Sequence, residues 1–195
     1  NYPVRGFQCD LGIRGSAGTS IPMLEEAMAS REKSAQARID SRRSKIAGIK
    51  GDQAATNQAR IEKIASGTAA MDNAWVAHCL NQLKQDDDIL VSESQLALGN
   101  LSLRDPGSFF GTSPSGGLGW GLGASLGAKL GQKDKRVFCV VGDGSYMFGN
   151  PTPAHFVSAA YELPTLTVIM NNKMWGSVRK ATLGLYPDGA ASSSN

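Results

Sequence analysis

The stretch Arg136-Val137-Phe138-Cys139-Val140-Val141-Gly142-Asp143-Gly144-Ser145 decides the fold, because a short apolar run ends directly in a carboxylate flanked by glycines. A second apolar run, from Pro164 to Met170, ends in Asn171-Asn172. Both runs are rich in β-branched residues and apolar at successive positions, which is typical of parallel strands buried on both faces. Pro151 to Tyr161 leaves room for one helix between them. The pattern therefore predicts a right-handed βαβ unit.

The two predicted strands place oxygen-bearing side chains at one edge of the sheet. Parallel strands end on the same edge, so Asp143 and Asn172 are expected to meet there as a carboxylate and an amide. Hard oxygen donors of this kind suit Mg²⁺ or Ca²⁺ better than zinc. Mg²⁺ completes its coordination with water and phosphate oxygens, and Ser145 adds a hydroxyl where a helix can begin and bind phosphate. The residues thus predict a metal-bridged diphosphate.

At this point a family resemblance becomes specific. Gly142-Asp143-Gly144, then 26 residues, then Asn171-Asn172 resembles the cofactor fingerprint of the thiamine-diphosphate-dependent enzymes related to acetolactate synthase, benzoylformate decarboxylase and pyruvate decarboxylase. The glycine-rich segment from Gly116 to Ala124 and the pair Trp175-Gly176 resemble two further family elements. The resemblance runs from about Asp86 to Gly189. It implies an α/β fold with an open, mainly parallel sheet and helices on both faces.

The resemblance assigns roles to particular residues. Asp143, Asn172 and the backbone carbonyl of Met174 correspond to the Mg²⁺ ligands of the family. Leu118 corresponds to the bulky apolar residue that supports the folded cofactor, and the Gly116 carbonyl to the acceptor of its amino group. The remaining residues assigned to the cofactor are Gly142, Gly144, Ser145 and, in the loop after the predicted strand Ile89–Val91, Ser94 and Gln95.

The activity that the resemblance implies is decarboxylation or carboligation of 2-oxo acids, acetolactate synthase-like, with thiamine diphosphate and Mg²⁺ as cofactors. A benzoylformate decarboxylase or other 2-oxo acid decarboxylase, and a non-catalytic cofactor-binding module, are the alternatives. The family's catalytic glutamate lies in a pyrimidine-binding domain, usually on a partner chain. We find no counterpart here, so we expect no catalytic residue in this chain, a homodimer or homotetramer, and little turnover by the isolated chain. Flavin (FAD) binding in a longer protein is left open.

Composition limits the class of protein further. The chain has 195 residues, 41% of them hydrophobic, which is enough for a sizeable core. It has no apolar run of membrane-spanning length and no signal-peptide pattern, and its three cysteines show no metal-binding spacing. We therefore expect a cytoplasmic protein that does not bind membranes. The first residue is Asn1, which suggests an internal piece of a longer protein.

The chain divides by composition into three parts. Residues 1–29 are expected to be the C-terminal remnant of a middle domain, residues 30–66 a linker, and residues 67–195 the cofactor-binding domain, truncated at its C-terminus. The linker holds nine basic and four acidic residues but no aromatic residue, so nucleic-acid binding is not expected. Gly48 and Gly51 predict that the linker is partly helical and partly irregular rather than one continuous helix.

Two rival interpretations fit less well. Gly123-Ala124-Ser125-Leu126-Gly127 satisfies the G-x-S-x-G pattern of serine hydrolases, and Asp143 and His155 follow in the order of that fold. The serine, however, follows a glycine-rich loop rather than a strand, as a nucleophile elbow requires. A nucleotide-binding dehydrogenase would need a strict G-x-G-x-x-G, which the glycine-rich region lacks.

Overall fold

The computed structural model describes residues 10–111 and 117–193. The chain divides into two compact units, one ending at Ala55 and one beginning at Thr56. In the first unit, α1 (Ala17–Ala29) and the first part of α2 (Glu32–Ala65) are the helices. The predicted division at residues 29 and 66, and the origin of residues 1–29 in a middle domain, stay predictions.

The expectation that Gly48 and Gly51 would interrupt the linker was wrong. α2 runs without a break from Glu32 to Ala65. A glycine inside a helix costs about 1 kcal/mol relative to alanine and does not forbid the conformation. The surrounding Ala, Lys, Arg, Gln and Glu residues are strong helix formers, and together they outweigh two glycines.

The second unit contains a parallel sheet with helices on both faces, which confirms the predicted fold class. The sheet has the strand order β2-β1-β3-β4. Its strands are β1 (Ile89–Ser92), β2 (Phe109–Phe110), β3 (Val137–Gly142) and β4 (Leu166–Met170). Its helices are α3 (Asn73–Leu83), α4 (Trp120–Gly131), α5 (Asp143–Phe148), α6 (Pro151–Ala160), α7 (Gly176–Leu185) and α8 (Ala190–Ser193), with a 3-10 turn at Leu98–Asn100.

The alternation of side chains along the central strands builds two layers of core. Leu90, Phe138 and Val140 pack with Leu80 of α3 on one face. Ile89, Val91 and Val137 lie on the other face, where α4 covers them, and Cys139 and Val141 pack there with Leu122. Successive residues of a strand point to opposite faces, so an uninterrupted apolar run is what a strand covered on both faces requires.

The two strands of the predicted βαβ unit differ in burial. Residues 137–141 of β3 are buried, as expected. β4 is the last strand of the sheet that the described residues form, and Leu166 and Ile169 are exposed. The prediction of a strand at this position is confirmed, but that of burial on both faces is wrong for β4. The apolar sequence determines the strand, whereas its burial depends on what lies beside it.

An ion pair fixes the starts of the two central strands. Arg136, just before β3, donates from Nε and Nη2 to the two carboxylate oxygens of Asp88, just before β1, over 2.9 and 2.5 Å. The Ile89 amide donates to the Arg136 carbonyl over 2.9 Å. Burial alone would raise the pKa of Asp88, but the hydrogen bonds from Arg136 and from the Gln85 amide outweigh it and lower that pKa. The pair therefore aligns β1 with β3.

We predict that Arg136→Ala destabilises the protein more than Asp88→Asn. The Asp88 side chain is 3% exposed and the Arg136 side chain 52%. Losing the arginine leaves a buried carboxylate without its main partner, at a cost of about 1–3 kcal/mol. Losing the carboxylate leaves a guanidinium that water can reach. Urea unfolding at pH 7 measures the difference, and equal or reversed effects would contradict it.

The Asp88–Arg136 pair makes the free energy of unfolding depend on pH. Because the folded-state pKa of Asp88 is lowered, its stabilisation is present above the unfolded pKa of about 3.9 and is lost as pH falls through the folded value. The gap in stability between wild type and Asp88→Asn should therefore close in acid.

Cys139 should be unreactive in the folded protein. Its side chain is fully buried in β3. Burial raises the pKa of the Cys139 thiol to about 11. The nearby Glu93 charge adds to this increase, and a hydrogen bond with Ser125 partly opposes it. In a Cys9→Ser/Cys79→Ser variant, a thiol reagent at pH 8 should label Cys139 only after unfolding in guanidinium. Rapid labelling of the folded variant would contradict the burial.

Candidate active site

The sheet topology creates a crevice at its carboxyl edge. The chain leaves β1 in one direction to form β2 and returns on the other side of β1 to form β3, followed by β4. The order of strands therefore reverses between β1 and β3. Ligands of open α/β sheets bind beside the strand ends at such a reversal.

A cavity of about 340 Å³ lies at that reversal and contains most of the predicted site residues. Nine of the ten assigned residues line it. Gly116, the tenth, lies outside the described residues. The nine are Ser94, Gln95, Leu118, Gly142, Asp143, Gly144, Ser145, Asn172 and Met174. The structure brings these residues together, while their individual roles stay predictions.

The pairing of β3 with β4 brings Asp143 and Asn172 to the same wall. The two strands are parallel, and Gly142 is paired with Met170. Asp143 follows Gly142 directly, and Asn172 follows Met170 by two residues. Neighbouring strands lie about 4.8 Å apart, so both side chains stand at one edge. Both residues line the cavity, while a ligand shared by the carboxylate and the amide stays a prediction.

The loop after β4 is shaped by two side-chain-to-backbone hydrogen bonds. Asn171 Oδ1 accepts from the Lys173 amide, and Asn172 Oδ1 accepts from the Met174 amide, each over 3.0 Å. A carbonyl oxygen has two lone pairs, so the Asn172 oxygen keeps one for a further ligand. Lys173 adopts a left-handed conformation with φ of 59°. The Asn171 bond holds this conformation, which an L-residue adopts only at a cost.

Helix α5 begins at Asp143, on the cavity wall. Gly142 is its N-cap residue, and no side chain within the described part of the chain caps that end. The first amides of a helix have no partner within the helix, so they can donate hydrogen bonds to an anion. The glycine at 144 also has a packing reason, because a Cβ there would lie 2.8 Å from the Trp175 ring.

Two residues on the wall were missed by the sequence reasoning. The Glu93 carboxylate, just after β1, accepts hydrogen bonds from the amides of Gly119 and, over 2.8 Å, Gly121. The Asn73 side chain, at the start of α3, donates to the Gln95 carbonyl over 2.5 Å. Their partners are backbone groups more than 20 residues away. The acidic Glu93 before Ser94-Gln95 was visible, but no motif marked it.

The start of α3 is held in place by its own cap. Asp72 accepts from the amides of Ala74 and Trp75 over 2.7 and 3.0 Å and pairs with Arg60. Burial would raise the pKa of Asp72, but these hydrogen bonds and Arg60 lower it. This cap fixes Asn73, and through Asn73 the loop that carries Ser94 and Gln95.

Ser125 is not a nucleophile of the hydrolase type. It lies within α4, it is buried, and its Oγ donates to the Leu122 carbonyl over 2.8 Å. A nucleophile elbow holds its serine at a sharp strand-to-helix turn. The structure therefore removes the main rival interpretation.

The electrostatics of the cavity restrict what can bind there. Among the described residues that line it, Glu93 and Asp143 are acidic and none is lysine, arginine or histidine. No group of three or more His, Cys, Asp or Glu side chains suited to a metal occurs within residues 10–111 and 117–193. A diphosphate in this cavity therefore needs a cation, and the donors available are an isolated carboxylate, an amide and backbone carbonyls. Mg²⁺, which takes few protein ligands and completes its shell with phosphate and water, fits that set.

Comparison with known proteins identifies the domain. Residues 91–194 match the family model described as "Thiamine pyrophosphate enzyme, C-terminal TPP binding domain". The chain belongs to the thiamine pyrophosphate enzyme family. The matched region begins within β1 and includes all ten predicted site residues, so it contributes most of the cavity lining, with Asn73 of α3 outside it.

Two solved structures resemble this domain. A thiamine diphosphate-dependent 4-hydroxybenzoylformate decarboxylase from Rhodococcus jostii RHA1 is 32% identical, with a TM-score of 0.56 over 62% of this chain and 23% of that chain. A benzoylformate decarboxylase from Polynucleobacter necessarius is 24% identical, with a TM-score of 0.53 over 62% of this chain and 24% of that chain, and it supports the fold. The chain thus spans about a quarter of the length of either enzyme. None of the described helices has the length and hydropathy needed to cross a membrane.

We predict that Gly144→Ala moves Trp175 without unfolding the protein. The added Cβ would lie 2.8 Å from the indole, which is 51% exposed and can turn outward. The matched control is Gly127→Ala in α4, where a Cβ meets nothing within 4 Å and alanine should stabilise the helix by about 0.5–1 kcal/mol. The Trp175 indole resonance should shift in the first variant only. An unshifted signal in Gly144→Ala would contradict the packing.

Proposed function

We propose that this chain binds thiamine diphosphate together with Mg²⁺ in the cavity at the carboxyl edge of the sheet, and that it supplies the diphosphate-binding half of an active site acting on 2-oxo acids. The observation that carries the proposal is the β3–β4 register, which puts Asp143 and Asn172 on one wall of a cavity that has no cationic side chain among its described residues. The family match supports the cofactor, and the donor set supports the metal.

The residues divide the binding task between them. The Asp143 carboxylate, the Asn172 amide oxygen and the Met174 carbonyl would hold the cation. Gly142, Gly144 and Ser145, at the start of α5, would hold the phosphates. Leu118, which is 39% exposed and lines the same cavity, would support the rings. Gly116, Ser94 and Gln95 would add contacts from the neighbouring loops.

Thiamine diphosphate, when bound, provides the electron sink for the charge left when a 2-oxo acid loses CO₂. The chain itself must orient the cofactor and keep its charged end in place. Glu93 and Asp143 are the acidic residues of the described lining, and each has another task, Glu93 with backbone amides and Asp143 with the proposed metal. The proton-transfer group would therefore come from elsewhere. We propose a glutamate of a pyrimidine-binding domain on a partner chain, within a homodimer or homotetramer.

The substrate class is narrowed by the relatives. Acetolactate synthase-like carboligation was the first expectation from the sequence, with a benzoylformate-type decarboxylase as the alternative. The 32% identity to a 4-hydroxybenzoylformate decarboxylase supports the alternative, so we favour decarboxylation of an aryl-substituted 2-oxo acid. If the complete enzyme has a tenfold higher kcat/KM for pyruvate than for benzoylformate, an acetolactate synthase-like activity would be favoured instead.

The cofactor proposal is tested by calorimetric titration of the 195-residue chain with thiamine diphosphate and Mg²⁺. Asp143→Ala should weaken binding by at least about 100-fold, because it removes a charged metal ligand where even supporting residues contribute 10–100-fold. The matched control is Asp134→Ala, at an exposed position between α4 and β3, and it should bind as wild type. Circular dichroism checks that both variants fold.

Three results would count against this proposal. If the wild-type chain does not bind, the cofactor assignment is wrong. If Asp143→Ala binds as tightly as wild type, the site is misplaced. If an excess of EDTA leaves the affinity unchanged, the metal is not part of the site.

A further inference from the structure

Glu93 forms a link between two elements of the cavity wall. Its amide donates to the Val140 carbonyl over 2.8 Å, which fixes it to the end of β3. Its carboxylate accepts from the amides of Gly119 and Gly121, on either side of Trp120, where α4 begins. Leu118 directly precedes these residues. Glu93, through its amide and its carboxylate, thus ties the end of β3 to the segment that carries Leu118.

The glycines at 119 and 121 are the residues that allow this link. A Cβ on Gly121 would lie 2.9 Å from both the Glu93 carboxylate and Val141 Cγ1. Gly119 has φ of 82°, and a Cβ there would lie 2.6 Å from the Gly149 Cα. Part of the glycine-rich sequence is therefore explained by access of a carboxylate to the start of α4, rather than by contact with a cofactor.

The Glu93 carboxylate lies at the N-terminus of α4, where a negative charge is stabilised. The N-terminus of a helix carries partial positive charge and amides without partners. Glu93 satisfies two of those amides, so the start of α4 is already occupied by an anion. The proposed phosphate contacts lie instead at the strand ends that carry Asp143 and Asn172.

We propose that Glu93 is a positioning residue of the cofactor site, which holds Leu118 against the cavity by fixing the start of α4 to β1. This inference rests on the proposed function, because Leu118 matters only if the cavity binds the cofactor. In this role Glu93 acts through Leu118 rather than by contact with the reacting atoms.

The direction of the effect separates positioning from simple electrostatics. Glu93 adds a negative charge to a cavity proposed to bind an anion. If charge were its main contribution, Glu93→Gln would tighten binding of the diphosphate. In Glu93 each carboxylate oxygen accepts from a different amide, and in glutamine one of these two oxygens is replaced by an NH₂ group, so one of the two amides loses its acceptor. If the link matters, binding weakens even though a repulsive charge has been removed.

The experiment is a double-mutant cycle on the 195-residue chain, titrated with thiamine diphosphate and Mg²⁺. Glu93→Gln should raise Kd by about tenfold, the size of one charge-assisted hydrogen bond. In a Leu118→Ala background the same substitution should change Kd by less than about twofold, because the two residues share one contribution. The exposed Glu162, changed to Gln, is the matched control and should leave Kd unchanged.

A second readout does not depend on the cofactor. In the free chain, the amide resonances of Gly119 and Gly121 should lie at low field in wild type and move upfield in Glu93→Gln, and the Leu118 methyl signals should broaden. If Glu93→Gln does not fold, Glu93→Asp, which is too short by one methylene to reach both amides, serves in the same two measurements.

The outcomes keep the two proposals distinguishable. A wild-type chain that does not bind refutes the proposed function, and the role of Glu93 in fixing Leu118 is then decided by the amide and methyl signals. If the wild-type chain binds the cofactor and Glu93→Gln binds it equally well or more tightly, the positioning role of Glu93 is refuted and the proposed function is not. Additive effects of Glu93→Gln and Leu118→Ala also refute the positioning role, because Glu93 would then not act through Leu118.

Discussion

The parallel pairing of β3 with β4 is the interaction on which the candidate site depends. Asp143 and Asn172 are separated in sequence by the rest of α5, by α6 and by β4, and the pairing of Gly142 with Met170 places them at one edge. Val168 and Met170 pack against the core on the α3 face. A slip of one residue in the pairing would turn the side chains of Val168 and Met170 to the other face of the sheet. Packing of the core therefore fixes the register, and the register fixes the site.

The glycine-rich segment shows two requirements in conflict. Glycine weakens a helix by about 0.5–1 kcal/mol relative to alanine, yet α4 has glycine at positions 121, 123, 127 and 131. At Gly121 the small residue is needed, because Glu93 and Val141 occupy the space of a side chain. At Gly123 and Gly127 a Cβ would meet nothing within 4 Å, and nothing in the structure explains them. The loss of helix stability is thus explained by a specific contact at Gly121 only.

Much of the fold could be predicted from the sequence because the signals were periodic and local. The apolar runs before Asp143 and Asn171 predicted β3 and β4, and their parallel order predicted a shared edge. What failed depended on context. α2 continues through Gly48 and Gly51 because neighbouring residues compensate, β4 is partly exposed because it is last in the described sheet, and the two-residue β2 is too short to leave a pattern.

The candidate-site residues that directly follow strand ends could be predicted from the sequence. Those that hydrogen-bond to distant backbone groups could not. Asp143 and Asn172 are marked by position and by residue type. Glu93 and Asn73 bind backbone groups 26, 28 and 22 residues away, and a backbone amide or carbonyl carries no signature in the sequence. Side chains that recognise the main chain at long range become visible only when the fold is known.

Under the proposed function, the charges of the cavity would couple the binding of the metal to that of the diphosphate. Two carboxylates line the cavity, and no basic side chain of the described lining offsets them. An anionic cofactor alone would meet repulsion, and a cation alone would have few protein ligands. Each supplies what the other lacks, because the cation offsets the charge and the phosphates complete its shell. Such coupling is reciprocal, so in the proposed site Mg²⁺ would raise the affinity for the cofactor by the same factor as the cofactor would raise the affinity for Mg²⁺.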